Sequence, residues 1–224
     1  MTEDHLQPEC GCSTAHRPKR IVLTGGPGAG KTALLEMVRR TMCRHVRILP
    51  EAASVVFGGG FPRENGDAFR RAAQRAIFHV QRELEVTGEL HRPAIVLCDR
   101  GTLDGVAYWP GPVNDFWTAV GESPGNELRR YDAVIHLRTP AQDQGYNHVN
   151  PLRVESAAAA AVIDGRIEAV WREHPSRYVV AATHSFLEKA RSTLAILHSE
   201  LPDCCAGHLE RSLGPSHVSA PSAL

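Results

Sequence analysis

The sequence lacks three features that would point to particular classes of protein. Lys plus Arg (25) equals Asp plus Glu (25), so no basic excess suggests bulk binding of nucleic acid. No stretch approaches the roughly 18 apolar residues of a membrane-spanning helix, and residues 1–18 contain no apolar core of a signal peptide. These absences predict a cytoplasmic protein without a transmembrane segment, and they leave the oligomeric state open.

The six cysteines follow no standard zinc-binding pattern. Cysteine and histidine near the two termini nevertheless offer a set of conceivable metal ligands: Cys10, Cys12, Cys204, Cys205, His5, His16 and His208. The terminal segments are polar or rich in small residues and show no apolar periodicity. We therefore expect a flexible leader at residues 1–18 and a disordered tail at residues 202–224 rather than a metal site.

The main chemical motif is the string GGPGAGKT at residues 25–32. It lies between an apolar run and a helix-like segment, the context in which Gly-x4-Gly-Lys-Thr binds phosphate. Glycine lets the backbone curl so that successive N–H groups converge on an anion, and the following helix adds a positive partial charge. The predicted nucleotide-binding residues are Gly25, Gly26, Pro27, Gly28, Ala29, Gly30, Lys31, Thr32 and Ala33.

Magnesium ligands and a catalytic cation are predicted from two places in the chain. Lys31 is expected to reach the β- and γ-phosphates, and the Thr32 hydroxyl to bind Mg²⁺. A second apolar run, residues 94–98, ends in Asp99 and Arg100. An acid there is typical of the Walker B carboxylate that holds Mg²⁺, with a capped turn as the alternative. The planar guanidinium of Arg100 can pair with substrate or phosphate. The predicted ligands of the whole site are Mg²⁺ and ATP, with GTP as the alternative to ATP.

Two further features suggest an acceptor site and a lid. Glu51 follows the predicted strand 46–49, so it is either a catalytic base beside the ligand crevice or an acid favoured by a helix N-terminus. Residues 138–155 are polar and too long for an ordinary connection. We expect a lid there, whose Arg138 and Arg153 close over the transferring phosphoryl group.

Predicted strands and helices alternate along residues 19–201, which are expected to form one domain. The predicted strands are 20–24, 46–49, 94–98, 133–137 and 177–181, and the helices 33–43, 67–85, 113–120, 126–130, 155–173 and 186–201. This order predicts a three-layer α/β/α P-loop NTPase fold with a five-stranded parallel sheet. Arg70, Arg71 and Arg75 of the helix 67–85 are assigned to a solvated face, with a functional role as the alternative.

Six strings resemble the NadR-like AAA-domain family of P-loop proteins: LTGGPGAGKTALLE, PEAA, LCDRGTLDGVAY, YDAVIHL, NPLRVES and DGRIEAVWREHP. This family includes a ribosylnicotinamide kinase domain and is similar in fold to nucleoside and nucleotide kinases. The resemblance covers residues 20–200. It implies that Lys31 and Thr32 hold phosphate and Mg²⁺, that Asp99 is the Walker B acid, and that Arg153 belongs to the lid.

By analogy with nucleoside kinases, Glu51 would act as the base at the acceptor hydroxyl, oriented by Arg100. The first functional hypothesis is therefore a small-molecule kinase that transfers the γ-phosphate of ATP to a nucleoside-like acceptor. The alternative is a regulatory switch that hydrolyses ATP or GTP slowly, although the sequence contains no Asn-Lys-x-Asp string of ordinary small GTPases. A general AAA motor ranks last, because only one phosphate loop is present.

Overall fold

A computed structural model describes residue 7 and residues 11–140, 157–183 and 185–206. The strands are β1 Lys19–Thr24, β2 Val46–Leu49, β3 Ile95–Asp99, β4 Ala133–Leu137 and β5 Arg177–Val180. The helices are α1 Lys31–Thr41, α2 Ala52–Gly58, α3 Asp67–Glu89, α4 Asp104–Tyr108, α5 Val113–Val120, α6 Pro124–Leu128, α7 Ala157–Val170, α8 Phe186–Glu200 and α9 Asp203–Ala206. None of these helices combines the length and hydropathy needed to cross a membrane.

The strands form one parallel sheet in the order β2-β3-β1-β4-β5. This confirms the predicted five-stranded parallel sheet of a three-layer fold. From β1 the chain continues to β2 at one edge, and it later reaches β4 on the other side of β1. The carboxyl end of β1 therefore lies at a switch point of the topology, where parallel α/β sheets form their ligand crevice.

Alternate residues of β1 contribute to two apolar cores. Ile21 and Leu23 are buried among residues of α1 and α8 on one face. Val22 is buried on the other face, with Phe78 of α3 and Phe116 of α5. Because both faces of the strand are covered, nearly every position must be apolar, which explains its continuous apolar sequence.

Some helices differ from their predicted limits. Helix α3 extends to Glu89, past the predicted end at residue 85. A Cβ at Gly88 would lie 2.8 Å from the Leu49 side chain, so glycine lets this last turn approach β2 closely. The sequence predicts neither α2 nor α4, since helices of seven and five residues are too short to show an apolar period. Helix α6 begins at Pro124, where the Ser123 hydroxyl caps it by accepting from the Asn126 N–H.

Parts of both terminal segments lie against the domain. Composition predicts disorder beyond residue 201, yet residues 203–206 form α9, whose Cys205 is 1% exposed and packs into the core beside α8. Residues 11–18 form no regular structure. His16 is nevertheless only 9% exposed, and its backbone N–H donates to the Arg92 carbonyl at 3.1 Å. Burial of these two side chains attaches both segments to the domain.

Candidate active site

The loop between β1 and α1 has the backbone that its glycines predict. Gly25, Gly28 and Gly30 have φ angles of 135°, 80° and 95°, which side chains of L residues rarely allow. A Cβ at Gly25 would lie 2.1 Å from the Leu137 carbonyl oxygen, so no other residue fits there without movement of β4. The loop leads directly into the N-terminus of α1, where an anion is stabilised.

Lys31 is buried at the start of α1 and folds back onto the loop. Its Nζ donates to the carbonyl oxygens of Gly25 at 2.8 Å and Gly26 at 3.0 Å. Burial, helped by the nearby Arg100, lowers the pKa of Lys31 to about 7. A phosphate placed in the loop would stabilise this ammonium. Thr32 follows it in an exposed position.

Asp99 ends β3 beside β1, where it pairs in register with Leu23. Its Oδ1 is buried and has no hydrogen-bond partner among the described residues. Burial raises the pKa of Asp99 to about 6, although Lys31 nearby acts to lower it. A buried carboxylate oxygen without a donor normally has a ligand or ion to satisfy it. Carboxylate and hydroxyl oxygens such as those of Asp99 and Thr32 are the type of donor that Mg²⁺ prefers.

Glu51 and Arg100 form an ion pair beside the phosphate loop. The Glu51 carboxylate accepts from Arg100 Nε at 2.8 Å and from the Ser54 hydroxyl at 2.7 Å. Arg100 also donates from Nη1 to the Gly25 carbonyl at 3.3 Å, so it joins the loop to Glu51. Burial acts to raise the pKa of Glu51, but Arg100 and Ser54 outweigh it and hold that pKa below its usual range.

The backbone and the side chain of Glu51 make different contacts. Glu51 is the N-cap residue of α2, and its carbonyl accepts from the Val55 N–H at 3.1 Å. Its side chain makes no capping bond to the helix backbone and turns to Arg100 instead. The backbone of Glu51 thus starts the helix while its carboxylate belongs to the crevice.

Asp104 is a buried site residue to which sequence reasoning assigns no role. Its Oδ2 accepts from the Thr24 hydroxyl at 2.7 Å and its Oδ1 from Trp171 Nε1 at 2.6 Å. Arg100 Nη1 lies 3.7 Å from the same carboxylate. Asp104 therefore connects the end of β1 to the end of α7. A signal was present, because this second acid lies in the same Asp-Arg-Gly-x-Leu-Asp-Gly string as Asp99.

The glycines of this string are explained by the bulky side chains beside them. A Cβ at Gly101 would lie 2.7 Å from the Trp171 ring, and one at Gly105 would lie 3.1 Å from the Phe116 ring. Trp171 is completely buried. Close packing of the indole against the turn after β3 keeps Asp104 within hydrogen-bond reach of Trp171.

The opposite side of the phosphate loop is held by Asp164 of α7 and Lys189 of α8. Asp164 Oδ1 accepts from the Gly26 N–H at 2.7 Å and lies 3.0 Å from His136 Nε2. Lys189 Nζ donates to the carbonyl oxygen of Ala29 at 3.2 Å. Both residues are 5% exposed. Asp164 is the first residue of the string DGRIEAVWREHP, but sequence reasoning assigns it no role, and Lys189 lies in none of the quoted strings.

The arginines predicted for the lid have different outcomes. Arg138 forms ion pairs with Glu168 and, at 3.7 Å, with Asp164, so its guanidinium is engaged by α7. Arg153 and most of the predicted lid lie outside the described residues, and their role stays a prediction. The structure brings together the remaining predicted catalytic residues, namely Lys31, Glu51, Asp99 and Arg100.

One protein family and several solved structures are similar to this chain. The family model described as an AAA domain matches residues 20–189. No curated protein sequence matches the chain. Among solved structures, thymidylate kinase from Candida albicans has a TM-score of 0.60 and 12% identity, over 83% of this chain and 93% of the kinase.

Two structures of NadR have the same fold. NadR in complex with NR has a TM-score of 0.58 and 13% identity, over 82% of this chain and 52% of NadR. NadR in complex with NAD and AMP-PNP has a TM-score of 0.55 and 12% identity, over 82% and 50%. The chain spans about half the length of NadR. Because the family model covers most of the chain and all of its phosphate loop, the chain belongs to the AAA-domain family.

Proposed function

We propose that this protein is a Mg²⁺-dependent kinase that transfers the γ-phosphate of ATP to a hydroxyl of a nucleoside-like small molecule. The observation that carries the proposal is the contact of Arg100 with both the phosphate loop and Glu51. Through this contact, the Glu51 carboxylate is joined to the loop in which we propose that the phosphates bind. A carboxylate there can accept the proton of an acceptor hydroxyl that a kinase positions for attack on the γ-phosphate.

The donor half of the proposed reaction uses the loop, Lys31, Thr32 and Asp99. The backbone N–H groups of residues 28–32 bind the phosphates, and Lys31 exchanges its carbonyl partners for phosphate oxygens. Thr32 and Asp99 would hold Mg²⁺, which, when bound, offsets the negative charge of the phosphates. Burial of Lys31 strengthens its attraction to the transferring phosphoryl group, because little water screens the interaction.

The acceptor half uses Glu51, with Arg100 as its positioning residue. The lowered pKa keeps the Glu51 carboxylate ionised near neutral pH, so it can accept a hydrogen bond from the acceptor hydroxyl and take its proton as transfer proceeds. The nucleoside-like acceptor is supported by likeness in fold to thymidylate kinase and to NadR in complex with NR. ATP as donor is supported by the NadR structure with AMP-PNP, while GTP remains the alternative. We place the protein in the cytoplasm, as the sequence predicts.

The proposal is tested by incubating the full chain with γ-labelled ATP and Mg²⁺ in the presence of nucleosides and related alcohols. A labelled product with one acceptor, above a control without acceptor, is the expected result. Slow release of labelled phosphate that is indifferent to every acceptor would instead identify the regulatory switch. Repeating the assay with γ-labelled GTP distinguishes the two donors.

Glu51→Gln tests the acceptor half alone. We expect turnover to fall about 100-fold, since the amide keeps the shape of the side chain but cannot take a proton. Affinity for ATP should stay within about threefold, because Glu51 lies outside the phosphate loop. Glu36→Gln is the matched control, since Glu36 is a half-exposed acid of α1 that pairs with Arg40. Unchanged transfer in Glu51→Gln would exclude Glu51 as the base.

A further inference from the structure

A cluster of cysteine and histidine lies at the end of the sheet where the strands begin, here called the amino edge. The phosphate loop lies at the opposite end, where the strands finish, here called the carboxyl edge. One ligand atom from each of Cys12, His16, His45 and Cys205 lies within 4.8 Å of all the others. His45 immediately precedes β2, and Cys205 lies in α9. The first two residues belong to the segment before β1. Three parts of the chain that are distant in sequence therefore meet at one point.

The distances within this cluster fit the edges of a coordination tetrahedron. Cys12 Sγ lies 3.7 Å from His16 Nε2, Cys205 Sγ lies 3.8 Å from the same nitrogen, and Cys205 Sγ lies 3.5 Å from His45 Nδ1. Zinc bonds of about 2.3 Å to sulfur and about 2.0 Å to nitrogen place such ligands about 3.5 Å apart. The four atoms thus surround a space of the size that one zinc ion occupies.

We propose that Cys12, His16, His45 and Cys205 bind a structural zinc ion. Two thiolates and two imidazoles form one of the standard zinc donor sets, and soft sulfur ligands select zinc over Mg²⁺. Two thiolates also balance the charge of Zn²⁺, which suits a site where Cys205 is 1% exposed. Four protein ligands leave no open position, so the ion has a structural rather than a catalytic role.

The neighbouring Cys204 is the main competitor for a ligand position. Its Sγ lies 3.9 Å from His16 Nε2 and 4.0 Å from Cys205 Sγ, but it does not belong to the compact set of four atoms. Cys204 is exposed, whereas Cys205 faces the core. These differences assign the ligand role to Cys205 and make Cys204 a matched control one residue away.

The proposed ion would attach the terminal segments to the domain. It would join residues 11–18 and α9 to the turn before β2. Such short segments bury little apolar surface, so the metal ion would strengthen their attachment to the domain. A cavity of about 590 Å³ borders the cluster and is lined in part by Cys12 and His45, which gives the ion a route from solvent. The site lies at the edge of the sheet remote from Lys31 and Asp99, so it is independent of the proposed kinase activity.

The first experiment measures metal content of the full chain purified with zinc and a non-thiol reductant. We expect about one zinc per chain by mass spectrometry, and its removal by a chelator should lower Tm by on the order of 10 °C. Cobalt added to the chelated protein should produce the visible absorption and thiolate charge-transfer bands of a tetrahedral sulfur and nitrogen site. Zinc should then remove those bands. Wild-type protein without zinc and without a cobalt spectrum would overturn the proposal.

The second experiment compares Cys205→Ser and His45→Asn with Cys204→Ser. The first two variants should lose the metal and the cobalt bands, while Cys204→Ser should keep both and retain its Tm within about 2 °C. Retention of ATP affinity would show that the ligand variants are folded. Loss of zinc in Cys204→Ser together with its retention in Cys205→Ser would overturn the ligand assignment. If a ligand variant does not fold, the cobalt spectrum of the wild type still decides whether the site exists.

Discussion

The two edges of the sheet hold clusters of polar side chains that are assembled in different ways. At the carboxyl edge, the phosphate loop and the turn that begins at Asp99 are each continuous stretches of sequence. At the amino edge, the Cys/His cluster combines residues from separate segments, and His16 and Cys205 lie 189 positions apart. Chemistry that depends on a local backbone shape can therefore be recognised in a sequence, whereas a site made from single residues cannot.

The edges also differ in how they satisfy buried polar groups. At the carboxyl edge Arg100 pairs with Glu51, and Asp104 accepts two hydrogen bonds, so most charges have protein partners before any ligand binds. Asp99 Oδ1 is the exception in the described part of this site. At the amino edge the sulfur and nitrogen atoms of the four residues lie within 4.8 Å of one another, so that one cation could contact all four. The first arrangement suits a substrate that enters and leaves, and the second suits a permanent ion.

Lys31→Ala should show most clearly that the two edges function independently. We expect phosphoryl transfer to fall on the order of 1,000-fold, because the variant loses the cation that contacts the phosphates. Its zinc content should not change, since Lys31 lies at the other edge. The assay with γ-labelled ATP and metal analysis measure these two quantities, and calorimetric titration measures the affinity for ATP. Lys19→Ala is the control, because the partly exposed Lys19 pairs only with Glu200 among the acids of the described residues. Normal ATP affinity in Lys31→Ala would contradict the assignment of the loop.

The sequence predicts the elements of the carboxyl edge well, for identifiable physical reasons. The phosphate loop needs glycine at positions with positive φ, and a central parallel strand needs continuous apolar residues, so both leave local signals. The partners of Asp104 leave no such signal. They depend on the approach of α7 to the turn after β3, which packing of Trp171 against Gly101 decides. Local spacing describes one element, not the contact between two.

Substitution of Asp104 should have the next largest effect, a loss of stability, because Asp104 accepts hydrogen bonds that join β1 to Trp171 at the carboxyl edge. Asp104→Leu should lower the free energy of unfolding by about 3 kcal/mol, since it leaves the Trp171 N–H and the Thr24 hydroxyl buried without a partner. Asp104→Asn should cost only about 1 kcal/mol, because the amide oxygen still accepts from Trp171 and its NH₂ can donate to Thr24. Urea unfolding measures both values. Equal losses in the two variants would show that charge rather than hydrogen bonding matters there.

Arg70→Ala should have the smallest effect on stability and on phosphoryl transfer, because we expect Arg70 to lie outside the carboxyl-edge site. Arg70 pairs with Asp67 at 2.6 Å, but both side chains are about 60% exposed. Exposed pairs contribute little, so the free energy of unfolding should change by less than about 0.5 kcal/mol and phosphoryl transfer should not change. Arg71→Ala is the comparison, since Arg71 donates to the Pro110 carbonyl and lies over the Trp109 ring. A large loss of transfer in Arg70→Ala would extend the site onto α3.

Sequence alone determined the fold class, the phosphate loop and the positions of Asp99 and Glu51 after their strands. Each of these follows from backbone requirements that act over a few neighbouring residues. Tertiary structure alone decided that Arg138 is engaged by α7, that Asp164 and Lys189 hold the loop, and that terminal cysteine and histidine meet at the amino edge. These outcomes depend on how helices pack on the sheet, which brings together side chains whose separation along the chain carries no information about their distance in space.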